Sequence, residues 1–182
     1  MIIFLGVPGS GKSTQGQMLL ERGKLHWIST GEILREKAST AQKERMLKGK
    51  LLDSQEMIDI LETELQKLGD TSELILDGFP RNLEQAQWLV EQNKKGLLKV
   101  SALVHLFADE SVVEKRLLAR GRVDDSSETI ANRFNVYQKT FQPIIGLLKN
   151  NGISILEINA DQTPEEILND IVDKLASVGI ES

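Results

Sequence analysis

The chain opens on an apolar run, Ile2-Ile3-Phe4-Leu5, that passes straight into Gly6-Val7-Pro8-Gly9-Ser10-Gly11-Lys12-Ser13. Two β-branched residues and a Phe in so short a run predict a buried strand. Met18, Leu19 and Leu20, following Ser13-Thr14-Gln15 and stopped near Gly23, predict a helix. The octapeptide between them satisfies G-x-x-x-x-G-K-[ST] in full and in the context that motif requires. Its spacing has a chemical reason. Glycines let the backbone curl so that its N–H groups converge on phosphate oxygens, and the helix that follows presents its positive end. Lys12 then reaches the outer phosphates and the Ser13 hydroxyl suits Mg²⁺. A dinucleotide-binding turn is the alternative, since Gly9-x-Gly11-x-x-Thr14 approaches that pattern and Glu32 lies about twenty residues on. Thr14 occupies the third glycine position there, and the Lys-Ser pair would have no task. The stretch is a phosphate-binding loop.

A chain of 182 residues suggests one domain with a sizeable core, and 40% hydrophobic with 27% charged residues is ordinary for a globular protein. The absence of cysteine excludes disulfides and a thiolate zinc site. The opening strand leaves no room for a signal peptide, and no apolar run approaches the length of a membrane span, so a cytoplasmic protein is expected. A net charge of -5 argues against a broad nucleic-acid surface. Phosphate must therefore be held by a few placed cations, and the chain has only eight arginines.

His26-Trp27-Ile28-Ser29 predicts a second strand, leading into Thr30-Gly31-Glu32-Ile33-Leu34-Arg35 with Thr30 placed to cap a helix. The charged, Ala-containing stretch 36–50 predicts short surface helices. Asp53-Ser54-Gln55-Glu56 starts an amphipathic helix with Met57, Ile60, Leu61, Leu65 and Leu68 near one face. Glu73 to Asp77 predicts a third strand. An apolar strand ending in Asp suits a nucleotide site that must hold the water ligands of Mg²⁺, and Arg81 leaves its carboxyl end, where ligands bind in open parallel sheets. A helix over 82–95 follows with Leu83, Ala86, Leu89 and Val90 inward. Val100 to Ala108 predicts a buried strand. His105 within it reads as a core histidine, having no companion ligand nearby. Asn93-Lys94-Lys95-Gly96 resembles a guanine-reading N-K-x-D, but it ends in Gly and lies on a helix end.

Four of the arginines, Arg116, Arg120, Arg122 and Arg133, fall between Asp109 and Thr140. Arg120-Gly121-Arg122 breaks two helices, the second capped near Ser126 or Ser127, and cations flanking a glycine at such a break suit a phosphate clamp. Ile153 to Ile158 predicts the last strand, and Thr163-Pro164 the start of the last helix. Alternating strands and helices with the loop after the first strand predict an α/β fold, a doubly wound five-stranded parallel sheet.

Taken together, Gly6 to Lys12, Ser29-Thr30-Gly31-Glu32-x-x-Arg35, Asp77-Gly78-Phe79-Pro80-Arg81, and Arg120-Gly121-Arg122-Val123-Asp124-Asp125 with Arg133 resemble the adenylate kinase family in order and spacing over essentially the whole chain. Asp-Gly-Phe-Pro-Arg is the most specific of these motifs to nucleoside monophosphate kinases. The resemblance implies reversible transfer of a phosphoryl group from MgATP to AMP, giving two ADP, with Mg²⁺ as the cofactor and no structural zinc. It implies that Lys12, Arg81, Arg120, Arg122 and Arg133 are catalytic. Gly9, Ser10, Gly11, Lys12, Ser13, Thr14 and Arg120 would bind ATP. Thr30, Arg35, Lys50, Leu51, Leu52, Gly78, Arg81, Gln85, Arg122 and Arg133 would bind AMP. Ser13, and Asp77 through water, would serve the metal. The whole chain would be one kinase domain, with an AMP-binding insertion at about 30–59 and a lid at about 120–127. Its partners would be ATP, AMP and ADP, not nucleic acid or membrane, and it would be a monomer.

Three features depart from the family pattern. Ser13-Thr14 stands for Gly-Thr after the lysine, the insertion between Arg35 and Gly49 is several residues short, and the lid between Arg120 and Glu128 is shorter than the family's short form, leaving Arg116 as a candidate to substitute for one of Arg120 and Arg122. Two other functions fit fewer residues. A kinase for CMP, UMP or a small metabolite is the nearer, and a nucleotide-binding switch is the farther, because a binding module has no use for a clamp at the transfer point.

Overall fold

The period of a strand sends alternate residues to opposite faces. In the first strand, β1 (Ile2–Gly6), both faces are apolar, so both must be covered. The computed structural model describes residues 1–23, 25–47, 53–121 and 126–180. In chain order it contains β1, α1 (Lys12–Leu20), β2 (His26–Ser29), α2 (Thr30–Lys37), α3 (Thr40–Leu47), α4 (Ser54–Leu68) and β3 (Leu74–Asp77). It continues with α5 (Leu83–Lys94), β4 (Ala102–Phe107), α6 (Glu110–Arg120), α7 (Ser127–Asn150), β5 (Ser154–Asn159) and α8 (Pro164–Ser177).

The strands form one five-stranded sheet in the order β2-β3-β1-β4-β5, parallel throughout. Ile3 and Leu5 face one core with Leu74, Leu76 and Leu103, covered by Met57 and Leu61 of α4, Ala86 and Leu89 of α5, and Ile144 and Leu148 of α7. Ile2 and Phe4 face the other with Ile75, Val104 and Leu106, covered by Leu19 of α1 and by Ile167, Ile171 and Leu175 of α8. The expected doubly wound sheet is therefore present, and its topology positions the site. From β1 the chain steps outward to β2 and returns through β3, then crosses to β4 and β5 on the other side. The crevice beyond the carboxyl ends of β1, β3 and β4 lies where the winding reverses, which is where such sheets bind ligands.

Several helix starts follow the sequence closely. Asp53 and Glu56 close a capping box on α4, and Thr163 and Glu166 close one on α8, with Pro164 in the first turn. Ser126 caps α7 by accepting from the Thr129 N–H. Gly121 ends α6 in the left-handed conformation, at φ 65°, so the break expected there exists.

Two expectations need correction. Thr30 is not a cap: Ser29 precedes the helix, and the Thr30 hydroxyl sits instead 3.1 and 3.0 Å from the carbonyl oxygens of Asp77 and Gly78. Leu83 does not face inward; it is 44% exposed, and Gln85 takes the buried place beside Ala86, Leu89 and Val90. The reason lies in the α5 start, where Gln85 Oε1 accepts the Arg81 N–H at 2.8 Å and the Gln85 N–H is taken by Asn82 Oδ1 at 2.9 Å. Satisfying those backbone donors rotates the helix so that the amide, not Leu83, points inward.

Candidate active site

A cavity of about 540 Å³ opens at the reversal point of the sheet. Its centre is the loop between β1 and α1. Gly11 stands at the helix N-cap with φ 94°, a left-handed conformation that residues with a Cβ avoid. That turn leaves the first N–H groups of α1 directed outward, unsatisfied by the helix and available to an anion. Lys12 Nζ folds back over the loop and donates to the Gly6 and Val7 carbonyls at 2.7 and 2.9 Å. Burial pushes its pKa down to about 8, with Asp77 pulling upward and Arg81 and Arg120 pressing it down.

The cations expected around the phosphates do converge. Arg35 from α2, Arg81 from the β3–α5 connection, Arg120 from α6 and Arg133 from α7 all line the cavity, with Gly9, Gly11, Lys12, Ser13, Thr14, Asp77 and Gly78. Arg81 is tied down: Nε donates to the Gly78 carbonyl at 2.6 Å and Nη2 to Thr30 Oγ1 at 3.4 Å. Burial pulls its pKa below the usual value, Asp77 opposes this, and Arg133 and Arg35 add to the lowering. A guanidinium keeps its proton regardless, so this concentration of like charge is relieved by binding an anion.

Asp77 ends β3 with Oδ2 accepting from Ser29 Oγ at 3.0 Å, while Oδ1 is buried without a hydrogen-bond partner. An unmet carboxylate oxygen beside a phosphate loop fits the water shell of a divalent cation. The Ser13 hydroxyl is exposed and lines the same space.

Other expected residues stand differently. Ser10 and Thr30 are fully buried and Gln85 is 2% exposed, and none of the three lines the cavity wall. Lys50, Leu51, Leu52 and Arg122 lie outside the described residues, as do residues 122–125 of the expected lid. The cavity also includes residues beyond the expected set. Arg116 lies one turn before Arg120 on α6 and shares its face, a spacing visible in the sequence. Gln15, Gln162 and Pro164 extend the wall towards α8. Nothing local marks them.

His105 is the core residue that the sequence suggested. Its ring lies 3.9 Å from that of Phe141 and 6.2 Å from that of Tyr137. Burial, with a smaller push from Lys12, takes its pKa down to about 4. It is neutral at physiological pH.

A phosphate-binding loop between strand and helix, an Asp at the end of the neighbouring parallel strand and a ring of arginines define a P-loop nucleotide-binding enzyme that handles phosphoryl groups. The family model described as adenylate kinase matches residues 4–153. An adenylate kinase of Prochlorococcus marinus (strain MIT 9515) is 40% identical over 96% of this chain and 98% of its own length. An "Adenylate kinase 1" of Nostoc sp. is 38% identical over 97% of this chain and 98% of its own. One from Leptospira biflexa is 38% identical over 94% and 97%. The chain belongs to the adenylate kinase family.

Proposed function

We propose that this chain catalyses the reversible, magnesium-dependent transfer of the γ-phosphoryl group of ATP to AMP, giving two ADP. The observation that carries the reading is the convergence of Lys12, Arg35, Arg81, Arg116, Arg120 and Arg133 on one cavity, from elements on both sides of β1. The β2–β3 side supplies Arg35, Gly78 and Arg81, which suit the acceptor's phosphate. The loop at β1 suits the donor's triphosphate, and Gln162 and Pro164 on the β5 side offer an uncharged wall for its base.

In this mechanism an AMP phosphate oxygen attacks the γ-phosphorus of ATP while the bond from that phosphorus to the β–γ bridging oxygen breaks. The acceptor oxygen is already ionised, so no general base is needed. Catalysis is positioning plus charge stabilisation. Arg81 and Arg35 bring the acceptor oxygen into line, and Lys12, Arg120 and Arg133 meet the charge on the oxygens in transfer. Magnesium, arriving with ATP, would neutralise phosphate charge, with Ser13 and, through water, Asp77 as the residues to hold it. Arg122 would join the clamp and Lys50, Leu51 and Leu52 the AMP pocket, with an insertion at about 30–59 and a lid at about 120–127 within one cytoplasmic, monomeric kinase domain. Among the described residues no helix is long and apolar enough to cross a membrane.

Gln85 gives the reading a specificity. A backbone N–H must be met by an oxygen, so the bond from Arg81 fixes which end of the amide faces it. Gln85 stands behind the cavity wall, so its NH₂ end would meet the edge of a base that packs against the start of α5. Adenine N1 and cytosine N3 are acceptors there, whereas guanine and uracil present an N–H and could be served only by flipping the amide off Arg81. A buried hydrogen bond left unmade costs about 1–3 kcal/mol, roughly five- to two-hundred-fold in preference. A coupled assay of ADP formation from ATP with AMP, CMP, UMP and GMP should rank AMP first, CMP well behind, and UMP and GMP last. Gln85→Leu should lower AMP use and flatten the order. No ADP from ATP and AMP would overturn the reading itself.

The depressed Lys12 pKa adds a pH dependence. A bound phosphate favours the charged amine, so above pH 8 donor binding must draw a proton from solvent. kcat/KM for ATP should fall by about tenfold per pH unit beyond that point. A flat profile between pH 8 and 10 would show that the amine stays charged in the free enzyme.

A further inference from the structure

Gln15 sits in the first turn of α1 and is 1% exposed, an unusual burial for a glutamine. Its Nε2 donates at 2.9 Å to the carbonyl of Pro164, 149 residues away at the start of α8. Its Oε1 is buried with no hydrogen-bond partner. A methionine of the same length would fill the space without leaving an acceptor unmet, so the one bond to Pro164 is kept at the cost of a buried, unmet oxygen.

The position of the amide supplies a reason. The residues just before Gln15 suit phosphate, whereas the wall that Gln15 reaches, with Gln162, Pro164 and Ile167, carries no charge and suits a base. That wall is shaped by its own bonds. Gln162 Nε2 donates to the Asn159 carbonyl and to Asp170 Oδ2, at 3.0 and 2.9 Å, and the Asp109 N–H donates to Asp161 Oδ2 at 3.1 Å. These bonds fix the wall to β4, β5 and α8. The Gln15 bond ties it to the helix that follows the phosphate loop. A nucleoside triphosphate spans both places, and misplacing one end relative to the other by a fraction of an ångström loses much of the benefit of binding at two points.

We propose that Gln15 is a positioning residue for the phosphate donor, holding the base wall at Gln162 and Pro164 in register with the phosphate loop. This rests on the reading that the donor's triphosphate occupies that loop.

The test is calorimetric titration of Gln15→Met and of the parent enzyme with ATP and, separately, with inorganic tripolyphosphate, which has no base. The variant should bind ATP about five- to tenfold more weakly, as expected for loss of one hydrogen bond in register. Tripolyphosphate affinity and the KM for AMP should not change. A purely structural role would move Tm and leave the ATP-to-tripolyphosphate ratio alone. ATP affinity within about twofold of the parent, or an equal loss for both ligands, would overturn the proposal. If the methionine variant fails to fold, Gln15→Asn, which keeps the amide but cannot reach Pro164, carries the same expectation. A parent enzyme that binds ATP but makes no ADP from AMP would refute the proposed function and leave this inference standing. One that binds neither ligand would refute both.

Discussion

Lys12→Met is expected to lower kcat/KM for ATP by about 10²–10³-fold, the usual consequence of removing one preorganised donor from developing charge. Its stability should change in the other direction. Methionine matches the lysine stem in length but brings no charge to the loop. In the free enzyme the ammonium is already held by two carbonyls, so it meets a phosphate with little rearrangement. The same burial that prepares it also holds its pKa at about 8. The unfolded chain, with an ordinary lysine, binds this proton up to about pH 10.4. Between those limits the unfolded state carries more protons than the folded one, so the Lys12 contribution to stability rises with pH. It is fully present above the unfolded value and is lost as pH falls through 8. Replacing the lysine removes that slope. Urea unfolding at pH 7.5 and 9.5 should show the parent gaining stability relative to Lys12→Met at the higher pH. Activity within about threefold of the parent, against the expected loss, would remove Lys12 from the reacting centre.

A lysine held at an expected cost to stability is one that local chemistry alone can disclose. The loop was legible because its chemistry is local: eight consecutive residues state the turn, the cation and the hydroxyl. The sheet was legible for a similar reason, since β1, β3 and β4 are buried over most of their length on both faces and leave apolar runs interrupted only by His105 and Asp77. Thr30 shows where this stops. Its hydroxyl has the local credentials of a cap, but the register that sets Ser29 beside Asp77 brings it the Asp77 carbonyl of a strand 47 residues away and the Gly78 carbonyl that follows. Leu83 shows the same for a helix face, because a backbone donor at Arg81 outweighed the burial of one leucine. Arg35, Arg81, Arg120 and Arg133 could be nominated from family spacing, while their meeting depends on four elements packed on different sides of β1. Gln15 had no local signal at all. A polar residue in the first turn of a helix looks solvent-facing until α8 is placed over it.

Gly16→Ala is expected to destabilise the protein by about 2 kcal/mol, although Gly to Ala inside a helix normally gains up to about 1 kcal/mol. The exception comes from Trp27. A Cβ on Gly16 would stand 1.9 Å from Cζ3 of the indole, 2.3 Å from Cη2 and 2.5 Å from Cε3. The atoms it meets belong to a rigid ring, not to the end of a flexible chain. The ring cannot simply step back, because its edge-to-face partner Phe4 is fully buried with its centroid 6.2 Å away. Either the indole leaves its rotamer or α1 lifts from the sheet, and overpacking of this kind costs about 1–3 kcal/mol. For a chain of this size each kcal/mol moves Tm by about 2–4 °C, so a fall of roughly 4–8 °C should be seen. Lifting α1 would also move the loop that carries Lys12 and Ser13, so the KM for ATP should rise with it. Trp27→Leu opens the space that the new methyl needs. In the double variant Gly16→Ala should therefore become neutral or stabilising, with a coupling of about 1–3 kcal/mol between the two sites. Thermal unfolding of the four proteins of that cycle decides the matter. Additive effects would mean that the glycine is kept for some property of its backbone and not for the indole that lies against it.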